Sequence, residues 1–446
     1  MPTNTNLNSE TKMQMPHSTL TRRDFLKRSS VAASVVAVGA LDVARTAYAA
    51  GGDTLKIGMI GCGGRNSGAA GQALTADPGA KLVAMCDIFR DRIEKKREEL
   101  RTAKPGQVEV DDDHCFTGFE GYKRIIESSD VVLIANAAKF HPMHLMAAIE
   151  AGKHVFVEKP HGIDPVGVKL TRKACDLARE KKLCVLSGLH SRFHAGYQET
   201  VNRIREGAIG DIISIEENFL RPPYIVIARD PKLTELQWQC STQYHFRWLS
   251  GDDVVQSLVH NMDRAIWVMN GALPENCHGL GGRSTMVQEI YGDVFDHHSV
   301  VYKFSNGVRV YAFCRTTNGC YDESSSLVIG SKGKAHLTNC RITGEKPWRW
   351  EGQCDPYQAE QDKLFASIRS GNPINCGDYM ANSTLTTIMG QISCYTGKEL
   401  SWEQVEKSDY FHAPKAEDCR DDMDPPTKPG PDGSYPVPTP GQSVMI

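Results

Sequence analysis

The sequence predicts an α/β fold in two parts: a parallel, doubly wound sheet, then an α/β domain with a large open, mostly antiparallel sheet. Three observations predict it. A short β-rich run, Leu55 to Ile60, is broken by the glycines of Gly61-Cys62-Gly63-Gly64. From there to Ser187, β-rich runs alternate with helical stretches of about ten residues, the pattern of a parallel sheet covered by helices. After Gly210 the rhythm changes, and β-rich runs follow one another across turns such as Ser305-Asn306-Gly307. Asn-Gly between β-rich runs is a hairpin signal.

Each element has its own signal. Helix-compatible sequence from Ser67 to Ala76 follows the glycines, and the run Lys81 to Cys86 stops at Asp87. A charged helix, Asp91 to Arg101, precedes a polar loop through Asp111-Asp112-Asp113. Asp130 to Ala135 is a buried strand, His144 to Ala151 a helix closed by Gly152, and His154 to Val157 a short buried strand. A helix from Asp164 to Lys181 and a strand from Leu183 to Ser187 complete the first part. In the second, strands are expected at 211–219, 299–304, 308–315, 325–329 and 334–338, with one helix at 253–269 interrupting them. Helices return at 358–369 and 380–396. The tail beyond Pro414, rich in Pro and Gly, reads as an extended arm or as disordered. The expected division is 1–49, 50–188, 189–410 and 411–446.

Bulk properties narrow the function. A chain of 446 residues with 40% apolar content buries full cores without disulfide staples. A net charge of −3 without a long basic run argues against nucleic acid. Arg22-Arg23-Asp24-Phe25-Leu26-Lys27 precedes an apolar stretch, Val31 to Leu41, and Ala47-Tyr48-Ala49 has the small-x-small form of a cleavage site. The twin arginines match the signal of the twin-arginine export machinery, which carries folded proteins. Residues 1–49 are therefore read as a signal peptide cleaved near Ala49, the product as periplasmic. The apolar stretch is too short to remain as a spanning helix. Fourteen cysteines, scattered and without a Cys-x-x-Cys pair, read as buried free thiols.

The chemistry begins at the glycines. Gly61, Gly63 and Gly64 let the backbone approach a pyrophosphate, and the helix N-terminus behind them attracts negative charge. Asn66 stands where a third glycine is usual. Asp87, ending the second strand, is placed to accept hydrogen bonds from the adenosine ribose hydroxyls, which favours NAD; Arg90 leaves NADP open. This is the pattern of a Rossmann dinucleotide-binding domain. Glu158-Lys159-Pro160 follows the strand His154 to Val157 and sets an ammonium at the carboxyl edge of the sheet, where open α/β folds bind ligands. The pairs His141/His144 and His297/His298 lack a third ligand, so no metal is expected.

The turn Gly61-Cys62-Gly63-Gly64-Arg65, the block Glu150-Ala151-Gly152-Lys153-His154-Val155-Phe156-Val157-Glu158-Lys159-Pro160 and Glu206-Gly207-x-Ile209-Gly210 resemble the glucose-fructose oxidoreductase/inositol dehydrogenase/rhizopine catabolism (Gfo/Idh/MocA) family. The resemblance implies reversible hydride transfer between a nicotinamide and a sugar, cyclitol or glycoside, and a homo-oligomer built on the open sheet. It makes Lys159 the group beside the nicotinamide and the reacting hydroxyl, with Arg65, Asn136, His141 and Glu158 near the cofactor. It makes His260 the partner histidine of an Asp-x-x-x-His helix, with Gln256 in the Asp position. A glutamine cannot hold the proton, so either Lys159 and His260 act alone or Asp252 or Asp253 compensates. Arg192, Tyr244, Trp248, Gln256 and His297 are the candidate substrate contacts. An exported member has no easy source of fresh nicotinamide, so a retained cofactor is expected, serving either net dehydrogenation or glycoside cleavage by transient oxidation.

Overall fold

The amino-terminal half holds six parallel strands: β1 (Lys56–Ile60), β2 (Lys81–Asp87), β3 (Cys115–Thr117), β4 (Val131–Ile134), β5 (His154–Val157) and β6 (Val185–Ser187). A computed structural model describes residues 54–446 apart from residue 225, so the export reading of residues 1–49 lies outside the described residues. The strand order is β3-β2-β1-β4-β5-β6. Helices α1 (Gly64–Ala76), α2 (Arg90–Ala103), α3 (Gly121–Ser128), α4 (His141–Glu150) and α5 (Pro165–Glu180) supply the crossovers. Every residue of β4, Val-Val-Leu-Ile, is buried because helices cover both faces of the sheet. The chain runs outward from β1 in both directions, so β1 and β4 flank the switch point, and a crevice opens above their carboxyl ends.

Helix α6 (Ala195–Arg205) leads into the second half, which begins with β7 (Ile212–Arg221). Four short helices follow: α7 (Glu235–Ser241), α8 (Arg247–Ser250), α9 (Asp253–Gln256) and α10 (Val259–Val268). Then come β8 (Asn276–Gly282), β9 (His297–Lys303), β10 (Arg309–Thr316), β11 (Glu323–Gly330), β12 (Gly333–His336), β13 (Arg341–Gly344) and β14 (Trp348–Arg349). Helices α11 (Pro356–Ser370) and α12 (Gly377–Thr396) precede the last strand, β15 (Leu400–Ser401). The nine strands form one open sheet in the order β14-β13-β12-β11-β7-β10-β9-β8-β15, antiparallel except for the β7·β10 pair. One face packs on α10 and α12 through Val300, Val310, Met262, Ile388 and Ile392, all buried.

Among the differences from the expectation, three concern the second half of the chain. The single helix expected at 253–269 is two helices, broken at Ser257-Leu258. Strand β8 was not foreseen, since its sequence Asn-Cys-His-Gly-Leu-Gly-Gly lacks β-branched residues. Its glycines admit α12 at close range: a Cβ on Gly279 would lie 2.6 Å from Cys394 Sγ. The tail is an ordered extended arm rather than a disordered one, with Cys419, Tyr435 and Met445 buried. All fourteen cysteines are free and eleven are buried. Among the described residues, no helix is long and apolar enough to cross a membrane.

Candidate active site

The loop between β1 and α1 is shaped by its sequence. Gly61 has φ +91°, and a Cβ there would sit 2.9 Å from the backbone of Asn136, so both conformation and space demand glycine. Gly63 and Gly64 face open space, with nothing within 4 Å of a Cβ built on either. Gly63 caps α1 without a side-chain hydrogen bond, which leaves first-turn N–H groups free for an anion. Asn66 takes over from the missing third glycine. Its buried Nδ2 donates to the carbonyls of Ile60 (3.0 Å), Gly61 (2.8 Å) and Leu133 (3.2 Å), pinning the loop to β1 and β4. Asp87 accepts from the N–H groups of Cys62 (2.7 Å) and Phe89 (3.1 Å), which fixes its carboxylate at the end of β2.

Lys159 lies just beyond β5, before a cis peptide to Pro160, on the wall of a cavity of about 410 Å³. Arg65, Asn136, His141, Glu158, Gln256 and His260 line the same cavity, as does Tyr244. A narrower cavity of about 100 Å³ adjoins it and shares Ala135, Asn136 and Gln243 with it. Gly61, Gly63 and Asp87 line the narrower one, so the two together follow the crevice above the sheet.

The helix break decides how Gln256 takes part. Ser257 Oγ donates to the Asp253 carboxylate (2.6 Å) and is also reached by Arg221 (3.1 Å) and Tyr224 OH (3.0 Å). The His260 N–H bonds Ser257 O at 3.3 Å instead of the Gln256 carbonyl, which is thereby freed. Lys159 Nζ donates to that carbonyl at 2.7 Å. The Gln256 contact to the lysine is thus made by its backbone. Gln256 and His260 do not share one continuous helical face, contrary to the expectation.

Neither aspartate supplies a carboxylate to the cavity. Asp252 is fully buried and accepts from His298 Nε2 at 2.9 Å and from Tyr395 OH. Asp253 is paired with Arg221 and takes the Cys314 thiol at 2.8 Å. Glu158 is buried, with Oε1 3.1 Å from Arg65 Nε; burial pushes its carboxyl upward against the pull of Arg65 and Lys159. Glu360 lies 4.0 Å from the same guanidinium, and burial and then Glu158 push it well above the carboxylate range. Burial and the neighbouring carboxylate thus favour the neutral form of Glu360 beside the Arg65–Glu158 pair.

The imidazoles are neutral too. Burial, then the neighbouring His190 and Lys159, holds His260 well below its ordinary value, and its Nδ1 has no hydrogen-bond partner. His190, unnoticed in the sequence, meets His260 edge to face at 4.8 Å and stacks on Tyr357 at 4.4 Å. Burial brings His190 down to about 3. His141 lies between two carbonyls, Nδ1 2.8 Å from Pro160 O and Nε2 3.0 Å from Asn136 O. Burial brings it to about 4, so it is neutral, and its single N–H donates to one of the two carbonyls, that of the lysine turn or that of the Asn136 loop.

The remaining candidates divide. Tyr244 lines the cavity and stacks on Tyr224 at 4.4 Å, while the Arg221 guanidinium lies 3.4 Å from the Tyr224 ring centroid. Tyr224, Tyr357 and Phe219 join that wall, a group contributed by distant segments and invisible to local motifs. Arg192 does not line the cavity: it pairs with Asp263 at 2.8 Å between Trp267 and Tyr379. Trp248 is core, its Nε1 donating to Gln239 at 2.7 Å. His297 is exposed on β9 and paired with Asp296 at 2.6 Å, away from the cavity. Among the described residues, no group of three or more His, Cys, Asp or Glu side chains is placed to hold a metal ion.

Residues 55–189 match the oxidoreductase family with an NAD-binding Rossmann fold, Gfo/Idh/MocA. The matched residues are those of the nucleotide-binding half. Similarity extends beyond the matched residues. A myo-inositol 2-dehydrogenase of Thermotoga maritima is 25% identical over 337 residues, 72% of this chain and 90% of that protein. A glycosyl hydrolase family 109 protein of Phocaeicola vulgatus is 25% identical over 71% of this chain and 58% of its own length. The scyllo-inositol dehydrogenase of Lactobacillus casei, solved with NAD(H) and scyllo-inositol, shares the fold with a TM-score of 0.60 at 18% identity, covering 79% of this chain and all of that one.

The chain is an NAD-binding oxidoreductase, and its residues fit the dinucleotide. The open Gly63-Gly64 backbone and the uncapped α1 would hold the pyrophosphate, and Asp87 the adenosine ribose. Asn136, whose buried Oδ1 has no hydrogen-bond partner, and Lys159 border the reacting end. The bound nicotinamide supplies the hydride acceptor or donor.

Proposed function

We propose that the protein catalyses reversible hydride transfer between NAD and a carbinol carbon of a sugar, cyclitol or glycoside. The convergence of Lys159 and His260 on one cavity beside the glycine loop carries this reading. The Lys159 ammonium, steadied by the Gln256 carbonyl, donates to the substrate oxygen and stabilises the negative charge that grows there as hydride leaves. Neutral His260, with a free ring nitrogen, accepts the hydroxyl proton. Tyr224, Tyr244 and Tyr357 offer faces for the apolar side of a sugar ring. The test is NADH formation at 340 nm against a panel of cyclitols and aldoses. Turnover with at least one, abolished in Lys159→Ala, supports the reading; activity surviving in that variant overturns it.

A second reading has one specific observation in its favour: among the described residues, no carboxylate hydrogen-bonds the Lys159 ammonium or the His260 ring. Glycoside cleavage by oxidation of a ring carbon, elimination, hydration and re-reduction needs only a modest base, because the new ketone acidifies the neighbouring C–H. The similarity to glycosyl hydrolase family 109 proteins supports it. Release of the aglycone from a chromogenic glycoside without net NADH would select this reading.

Export of the folded, cofactor-loaded protein by the twin-arginine route belongs to the same proposal, supported by Arg22-Arg23 and the Ala47-Tyr48-Ala49 site. Replacing both arginines by lysine should leave the precursor in the cytoplasm. Assembly through the open sheet is supported by exposed Leu280 on β8 and Ile213 on β7, and sedimentation would measure it.

A further inference from the structure

We propose that His144 reads the adenine of the bound dinucleotide, as the polar floor of a pocket distinct from the reacting end of the crevice. The proposal rests on the NAD reading above and adds the recognition of the base. His144 stands in the first half of α4, is 3% exposed, and has no hydrogen-bond partner at either ring nitrogen. Buried polar groups are nearly always satisfied, so one left open on a cavity wall points to a ligand. The ring is held by Tyr122, at 4.4 Å and 31°, and by Phe140, at 6.0 Å and 18°.

Those three rings line the narrower cavity together with Asp87 and Ile88 at the end of β2. An adenosine whose ribose lies on Asp87 puts its base beyond that carboxylate, among these rings. The second half of the chain closes the same end. Cys240 of α7 and the nearby Gln243 reach the cavity, and Arg92 donates to Ser241 O at 3.4 Å. The carboxyl-terminal arm contributes from outside, with Asp421 accepting from the Phe119 N–H at 3.2 Å.

Phe119, Tyr122 and Phe140 offer stacking, which every base satisfies through its π face. His144 adds a direction. A neutral imidazole brings one N–H donor and one acceptor nitrogen. The adenine edge presents an amino donor and ring-nitrogen acceptors, so one imidazole nitrogen can pair with it, donating in one tautomer and accepting in the other. Burial keeps the imidazole in that neutral form, with its pKa brought down to about 3.

The test is calorimetric binding of ADP-ribose, which carries the adenosine half of NAD and no nicotinamide. His144→Phe keeps a ring between Tyr122 and Phe140, and His144→Leu removes the nitrogens with a different shape. Both should bind ADP-ribose and NAD about tenfold more weakly, while His144→Asn, with its own donor and acceptor, recovers part of the loss. Thermal melting of the free proteins identifies any variant that fails to fold, and the folded one decides. Lys159→Ala should bind ADP-ribose like the parent. Unchanged ADP-ribose affinity in the folded Phe or Leu variant overturns the role of His144. A parent protein that binds neither ADP-ribose nor NAD overturns the cofactor reading and this proposal with it.

Discussion

At the adenosine end of the crevice, the walls are a narrow set of rings and backbone: Phe119, Tyr122, Phe140 and the glycine loop around a cavity of about 100 Å³. At the reacting end, about 410 Å³ is lined by charge and by titratable groups, with Lys159, Glu158, Arg65, His190 and His260 around it. The first end fixes a ligand through shape, two glycines and one carboxylate. The second gathers groups whose protonation matters and leaves room for a second molecule. Binding and chemistry are therefore separable along one cleft, and variants at the two ends should separate them in solution.

The largest effect is expected at Lys159. Lys159→Ala removes the donor to the substrate oxygen and should lower kcat by about a thousandfold or more, with NAD affinity held within about threefold. Among the described residues its ammonium reaches the Gln256 carbonyl alone, so the fold should survive. Isothermal titration with NAD beside steady-state kinetics measures both quantities. A parallel loss of NAD affinity would break the proposed division of labour.

The opposite pattern is expected at Asp87. Asp87→Ala deletes a carboxylate that orders the Cys62 and Phe89 amides and that would hold the ribose, so NAD should bind about tenfold to hundredfold more weakly. At saturating NAD, kcat should stay within about threefold of the parent. Loss of the negative charge should also bring NADP affinity closer to that for NAD. An Asp87→Ala enzyme with unchanged KM for NAD would place the adenosine elsewhere.

Acid should strike both ends together. Burial lowers His144 at the adenosine end to about 3, His190 at the reacting end to about 3, and His141 between them to about 4; His161, below the lysine turn, is brought to about 3. Each folded-state value lies below the unfolded one, so the unfolded chain binds more protons in the interval between them. Stability is full above about pH 6.5 and is lost as pH falls from there toward about 3, or about 4 for His141, by up to about 1.4 kcal/mol per group per pH unit. Denaturant titrations at about pH 7 and about pH 5 should differ by at least about 2 kcal/mol. Equal midpoints at the two pH values would mean that these rings are hydrated.

The two ends were also unequally legible. The adenosine end is written locally: strand, glycines, helix and Asp87 lie within one βαβ stretch, and each needs its residue type for a backbone reason. Lys159 was legible for the same cause, a lysine at a strand end beside the switch point. His190, Tyr224 and Tyr357 were not, because they come from three separated segments and meet only when the second half docks on the first. Trp248 misled because an aromatic near the cleft and an aromatic in the core look alike until the Gln239 hydrogen bond is seen. Strand β8 escaped notice because its glycines answer to the side chain of Cys394, far along the chain.

Gln256 gives the smallest effect and the sharpest check on the reacting end. Read as a glutamine in a carboxylate's place, its side chain should matter, and Gln256→Ala should reduce kcat by a hundredfold or so. The geometry says otherwise. Ser257, held by Asp253, Arg221 and Tyr224, breaks the helix and turns the residue 256 carbonyl toward the lysine. Alanine keeps that carbonyl, so kcat should remain within about threefold, with any change falling on substrate KM because the side chain lines the cavity. Ser257→Ala is the complementary variant. It frees the helix to close across the break, withdraws the carbonyl from Lys159, and should lower kcat more than Gln256→Ala does. The reverse ranking would return the role to the glutamine side chain.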